Sequence, residues 1–269
     1  MLNIAVAQNA LLLVKKLAAC GMLLTSLEYL WAREVLNDGG TMSWPVGSLR
    51  HMHRPGGFLR AALNELLKYP NVCGILVVRA ILALAILAGV NQPLLALGIS
   101  LLTILFLIRS PYGHDGADQM LLIIFIGLSL ISLSDTHLTR ATLLWFLSFQ
   151  VCLAYSVSGF AKLSAKGWRD GSYLIAICGT SIYGNVSMAK LLRSRPRLAR
   201  VVAVSLILWE CSFPLTLFAP IQASYAFIAT GLVFHLVNAY FMGLNTFVYA
   251  FVATYPALLF CVQTRRFWY

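Results

Sequence analysis

The sequence predicts an all-α protein, a polytopic transmembrane helical bundle, and three observations carry that prediction. Of its 269 residues, 60% are hydrophobic and only 11% are charged, with a mean hydropathy of +0.81. Soluble domains ordinarily carry about a quarter of their residues as charges. The apolar residues form continuous runs of bilayer-spanning length, about 20 residues, and not the short alternating segments of a membrane barrel. Finally, 20 Lys and Arg residues against 9 Asp and Glu give a net charge of +11, and the basic residues collect between the runs. There they suit anionic lipid headgroups, so membrane lipids are the expected partner and nucleic acid is not.

The first run covers residues 17–35 and is made amphipathic by Glu28 and Arg33. Lys15 and Lys16 follow an apolar start, the reverse of the order in a cleaved signal peptide. Residues 37–71 form a polar connection holding Arg50, His51, His53, Arg54, Arg60 and Lys68. Within it, residues 57–69 have the period of a helix lying in the interface. Further spans are expected at 72–89, 93–108, 120–133 and 141–163. The stretch 172–191 is interrupted by Gly179, Gly184 and Asn185 and reads as interfacial or re-entrant. Runs at 201–218, 223–242 and 245–262 complete about eight spans plus one or two interfacial or re-entrant helices. No repeat divides the chain, so residues 1–269 read as one domain.

Sidedness is pulled two ways. Lys15, Lys16, Arg265 and Arg266 favour cytoplasmic ends by the positive-inside rule. The cluster Lys190, Arg193, Arg195, Arg197 and Arg200 asks for the same side, yet eight spans place it opposite. The expectation adopted is cytoplasmic ends in a multi-pass plasma-membrane protein.

Ionisable groups inside the runs are the functional candidates, because a charge in hydrocarbon is costly and rare. Lys162 ends the uncharged stretch 141–161, in Tyr155-Ser-Val-Ser-Gly-Phe-Ala-Lys162. From position alone, snorkelling to the headgroups is the favoured reading, and the residues around it reverse that balance. Glu210 is central in the run 201–218, and His235 and Asn238, three apart, share a helix face. Arg79 lies about two turns into the run 72–89. These groups should line a cavity and face one another, although Arg79 and Glu210 could instead form a structural ion pair. Asp118 and Gln119 open the run 120–133, where helix capping and a place in the site weigh equally. Tyr155 and Trp168 are further cavity candidates, and Trp168 and Tyr173 also suit an interfacial belt. The six cysteines are scattered and the five histidines dispersed, so no metal ligand set is expected. No Walker loop, dinucleotide fingerprint, nucleophile elbow or HExxH motif occurs.

Gly159-Phe-Ala-Lys162-Leu163, a short spacer, then Trp168-x-x-Gly171 resembles the central signature of the HTTM family, the transmembrane domains related to vitamin K-dependent gamma-carboxylase. Upstream, Asp115-Gly116-Ala-Asp118-Gln119 and Leu133-Ser134-Asp135 fit the same order. Downstream come Trp209-Glu210-x-x-x-Pro214, Phe234-His235 and Gly243-Leu244-x-x-Phe247. The resemblance covers residues 113–260, and the Asp-Gly-x-Asp-Gln form is similar to the bacterial subgroup like sporulation-delaying protein B. It implies that Lys162 is a base that deprotonates a quinol, with His235 and Glu210 orienting substrate or passing the proton on. A free amine, favoured by desolvation, suits such a base. It also implies a quinone or hydroquinone cofactor, a secreted peptide toxin or protein as substrate, and a companion maturation protein. The family's large extramembrane substrate-holding region has no counterpart in the sequence, and the N-terminal third matches no family motif. The alternative function is a non-catalytic membrane partner that binds a lipid, quinone or peptide in export or immunity. A small transporter is a weaker third reading, since no inverted repeat is visible.

Overall fold

The structure is a computed structural model that describes residues 2–49, 57–109 and 115–265. Arg50, His51, His53 and Arg54, the stretch 110–114 with His114, and Arg266 lie outside the described residues. Among the described residues every regular element is helical. Five helices are long and apolar enough to cross a membrane: Ile4–Trp31, His137–Ser164, Pro196–Leu217, Ile221–Met242 and Asn245–Thr264. They correspond to the first, the fifth and the last three of the expected spans. The remaining three expected spans are shorter helices or a bent pair. The chain divides into two compact units, Leu12–Thr139, and Met1–Leu11 with Arg140–Tyr269.

In the unit Leu12–Thr139, α1 (Leu2–Trp31) contributes all but its first turns. The helix begins well before residue 17. Hydropathy marks where bilayer-compatible sequence starts, but nothing in the Ala-, Leu- and Lys-containing stretch before it breaks a helix. After α1 come α2 (Trp44–Ser48), α3 (Phe58–Leu67) and α4 (Asn71–Leu87), with α3 and α4 bent by 77° to one another. The amphipathic α3 occupies the stretch whose period suggested an interfacial helix. α5 (Pro93–Arg109) and α6 (Gly116–Ile131) complete the unit, with α5 packed between α4 and α6. Leu36, Val72, Leu76 and Phe106 form one buried cluster, and Trp44, Leu67 and Ile75 another.

Two buried arginines organise this unit. Arg109 donates to the carbonyls of Leu67 at 2.8 Å, Met42 at 2.8 Å and Leu36 at 2.5 Å, so one guanidinium holds three chain segments. Arg79 donates to Ser26 Oγ at 2.8 Å and Thr25 Oγ1 at 3.3 Å and lies over the Phe106 ring.

The second unit contains α7 (His137–Ser164) from Arg140 onward, then α8 (Lys166–Arg169), α9 (Ser172–Cys178) and α10 (Val186–Ser194). The expected interruption of 172–191 falls between α9 and α10, where Asn185 Oδ1 accepts from Met188 N and caps α10. α11 (Pro196–Ser212) tightens into a 3₁₀ turn at Phe213–Leu217, where Pro214 removes a helical donor. α12 (Ile221–Met242), α13 (Asn245–Val252) and α14 (Tyr255–Thr264) follow. Arg265 donates to the carbonyls of Leu217 and Ala219, satisfying chain ends near the 3₁₀ turn.

Candidate functional site

α7 carries Tyr155, Ser158, Gly159 and Lys162 at helical spacing, which places them on one face. At Gly159 this face meets α11. A Cβ there would lie 2.8 Å from both the amide nitrogen and the Sγ of Cys211, and 3.0 Å from Glu210 Cβ. Only hydrogen fits, so the two helices approach to backbone contact. That approach brings Lys162, one turn further on, within reach of a carboxylate centred in an otherwise apolar helix.

The resulting contact is close and nearly enclosed. Lys162 Nζ donates to Glu210 Oε1 at 2.8 Å and to Oε2 at 2.7 Å. It also donates to Ser158 Oγ at 2.5 Å, and Ser158 donates in turn to Glu210 Oε1 at 3.3 Å. The two charged side chains are 16% and 3% exposed. An ammonium has three protons, and here they meet three oxygens. Trp168 completes the enclosure, its ring centroid 5.4 Å from Nζ.

Trp168 reaches that position because the chain turns sharply after α7. Arg169 donates to the carbonyls of Leu163 at 2.6 Å and Ser164 at 2.9 Å, tying the short α8 back to the end of α7. Gly171 has φ of +84°, and a Cβ there would lie 2.6 Å from Arg200 N. Both its handedness and its packing against the start of α11 therefore require glycine. Beside it, hydrogen bonds from Ser172 hold the Asp170 carboxyl below its ordinary range. Gly159 and Trp168 thus each have a physical task around Lys162, and Gly171 shapes the turn that follows.

Two turns back along α7 lies a second polar cluster. Tyr155 Oη is 2.7 Å from His235 Nε2 and 2.9 Å from Tyr255 Oη, all three side chains being buried. Aromatic rings surround it: Phe213 at 4.1 Å and Trp209 at 5.0 Å from the Tyr155 ring, and Phe251 stacked on His235 at 4.6 Å. Trp209 immediately precedes Glu210, so α11 presents one residue to each cluster. Among the described residues, His235 Nδ1 and Trp209 Nε1 are buried without a hydrogen-bond partner.

The structure therefore joins Lys162, Glu210 and Trp168 in one cluster, and Tyr155 and His235 in its neighbour. Asn238 is half-buried one turn beyond His235. Arg79 and Glu210 do not form the ion pair considered from sequence. Arg79 uses the hydroxyls of Ser26 and Thr25, and Glu210 is taken by Lys162. At the start of α6 the cap is Asp115, whose Oδ1 accepts from Ala117 N at 2.9 Å and Asp118 N at 3.1 Å. Asp118 is half-buried and interacts electrostatically with Arg79, and Gln119 is exposed.

Ser158 and Tyr255 belong to these clusters and were not singled out from sequence. A signal existed for Tyr255, since a tyrosine hydroxyl within an apolar run needs a partner. Ser158 had none beyond its place one turn before Lys162. Among the described residues no group of three or more His, Cys, Asp or Glu side chains is arranged to hold a metal ion. Comparisons with protein-family models, curated proteins and solved structures find no match to this chain.

Proposed function

We propose that the chain is a multi-pass membrane protein of the gamma-carboxylase-like HTTM type, serving the maturation of a secreted peptide or protein, with Lys162 and Glu210 as its reactive pair. The observation that supports this reading is the contact of 2.7 Å between an amine and a carboxylate in apolar surroundings. Such a pair has a neutral form, reached by moving one proton along the hydrogen bond. In that form Lys162 is a free base and Glu210 stores the proton. Ser158, bonded to both, keeps the two groups aligned as charge moves.

A quinone or hydroquinone fits the donor set of the adjacent cluster. Trp209 Nε1 and His235 Nδ1, without a hydrogen-bond partner among the described residues, would hold its oxygens. When bound, it would supply redox chemistry.

The proposal includes eight crossings. The five long helices and the bent pair α3–α4 supply six, and α5 and α6, with 17 and 16 residues, supply two more. The depth of α4 and α5 supports this count. Lys15 of α1 bonds Asn91, between α4 and α5, at 2.9 Å. Lys15 is mid-helix, and towards the C-terminal end of α1 Ser26 meets Arg79 of α4 and Tyr29 meets Phe106 of α5. α4 and α5 thus extend alongside the C-terminal half of α1, from Lys15 to Tyr29, which supports counting them with it.

The test is Lys162→Arg, which keeps a charge able to pair with Glu210 but cannot act as a base. Secreted peptides from host cells carrying this variant, compared by mass and biological activity with those from wild-type cells, should remain unprocessed at normal membrane levels of the protein. Normal processing would favour the second reading, a non-catalytic partner for a lipid, quinone or peptide. The full set of acceptors around the Lys162 ammonium supports that alternative.

A further inference from the structure

A different site lies in the same unit, where α9 and α10 flank a cleft of about 610 Å³. It is lined by Lys190 and Arg193, one helical turn apart on α10, and by the break between the helices with Gly179, Ser181 and Gly184. No acidic side chain lines it. The wider segment is equally one-sided: from Lys166 to Arg200 it holds seven Lys and Arg residues against the single acid Asp170. Asp170 is occupied with Ser172.

The cleft is held open by its own hydrogen bonds. Thr180 Oγ1 donates to Ile177 O at 2.8 Å and accepts from Tyr183 N, and Asn185 N donates to Cys178 O at 3.0 Å. Val186 of its lining is apolar and 86% exposed, and Ile182, in the break between the helices, is 78% exposed. Cations that no acid pairs with among the described residues, inside a concave surface beside exposed apolar side chains, suit a phosphate placed at the edge of hydrocarbon.

We infer that this cleft binds the phosphate of an anionic phospholipid headgroup, with Lys190 and Arg193 as charged contacts and Ser181 as a hydroxyl contact. The two cations neutralise the phosphate, and Ile182 and Val186 lie against the acyl chains. The lipid source rests on the membrane-embedded reading of the chain, whereas the phosphate chemistry rests on the cleft alone.

The full chain, purified in a neutral maltoside detergent, is titrated with fluorescent short-chain phosphatidylglycerol, with the matching phosphatidylcholine, and with inorganic phosphate. Phosphatidylglycerol should bind and phosphatidylcholine should bind far more weakly. The double variant Lys190→Gln, Arg193→Gln should weaken phosphatidylglycerol roughly 30-fold, from about fivefold per basic side chain. Both side chains are exposed, so folding is preserved, and an unchanged gel-filtration profile verifies it. As a second probe, Gly179→Ala places a Cβ 2.7 Å from the Arg193 guanidinium and should also weaken binding.

Equal weakening by Arg195→Gln with Arg197→Gln, outside the cleft lining, would show a diffuse basic field and overturn the site. Displacement of the lipid by millimolar inorganic phosphate would reassign the cleft to soluble phosphate and overturn the lipid assignment. Neither outcome touches the peptide-processing test of Lys162, so failure of one proposal is distinguishable from failure of the other.

Discussion

At Lys162 the energetics follow from what each partner leaves behind when it is removed. Glu210→Ala strands an ammonium that is only 16% exposed, and loss of one partner of a buried pair costs about 3–5 kcal/mol. Replacing both, as Lys162→Met with Glu210→Leu, removes the desolvation cost together with the attraction and should be near neutral. Thermal unfolding in detergent should therefore show a large loss for the single variant and recovery in the double. Equal losses would mean that the residues do not act as a pair. Both residues stood out in the sequence because charge in an apolar run is conspicuous. Their pairing did not, since Arg79 was an equally plausible partner until its hydroxyl contacts were seen. The same limit applied to the neighbouring cluster, where Tyr155 lies 80 positions from His235 and 100 from Tyr255.

At the scale of helices, contact between α7 and α11 depends on Gly159. Gly159→Ala should cost about 1–3 kcal/mol by overpacking, because its Cβ would press on backbone at Cys211. It should also lengthen the Lys162–Glu210 contact, so coupling measured by a double-mutant cycle between those two residues should fall in the Gly159→Ala background. In the other unit, Arg109 is the clasp. Arg109→Met leaves the carbonyls of Leu36, Met42 and Leu67 without their donor, at roughly 3 kcal/mol or more. Hydrogen exchange across residues 36–48 should accelerate in that variant, and unchanged exchange would refute the clasp. Elements were legible from sequence to the extent that composition determines them. The break in 172–191 was visible because Gly179, Gly184 and Asn185 interrupt an apolar run. The start of α1 was not, because a run of good helix formers continues a helix whether or not it suits a bilayer.

At the scale of the whole molecule, the eight-crossing reading makes a topological prediction. In that reading α4 would cross between the loop holding Asp38 and the loop holding Gln92, both exposed. In a cysteine-free background, Asp38→Cys and Gln92→Cys should react with a membrane-impermeant maleimide from opposite faces. Labelling of both from one face would show that α4 does not cross and would reduce the count to the long helices. Helix length alone leaves the question open: α5 and α6 rise about 24–26 Å, just short of a bilayer core of about 30 Å.

The sequence by itself determined the class of the protein, its helical runs and the identity of its costly buried charges. Those properties follow from local composition and from the free energy of placing polar groups in hydrocarbon. Only the tertiary structure decided which charge answers which. It paired Lys162 with Glu210 through the space left at Gly159, gave Arg79 to the hydroxyls of α1, and set His235 against Tyr155, which also meets Tyr255. The physical reason is that a pairing is a matter of distance, and these distances are set by helix contacts between residues dozens of positions apart. A single hydrogen in place of a side chain decided the most consequential of them.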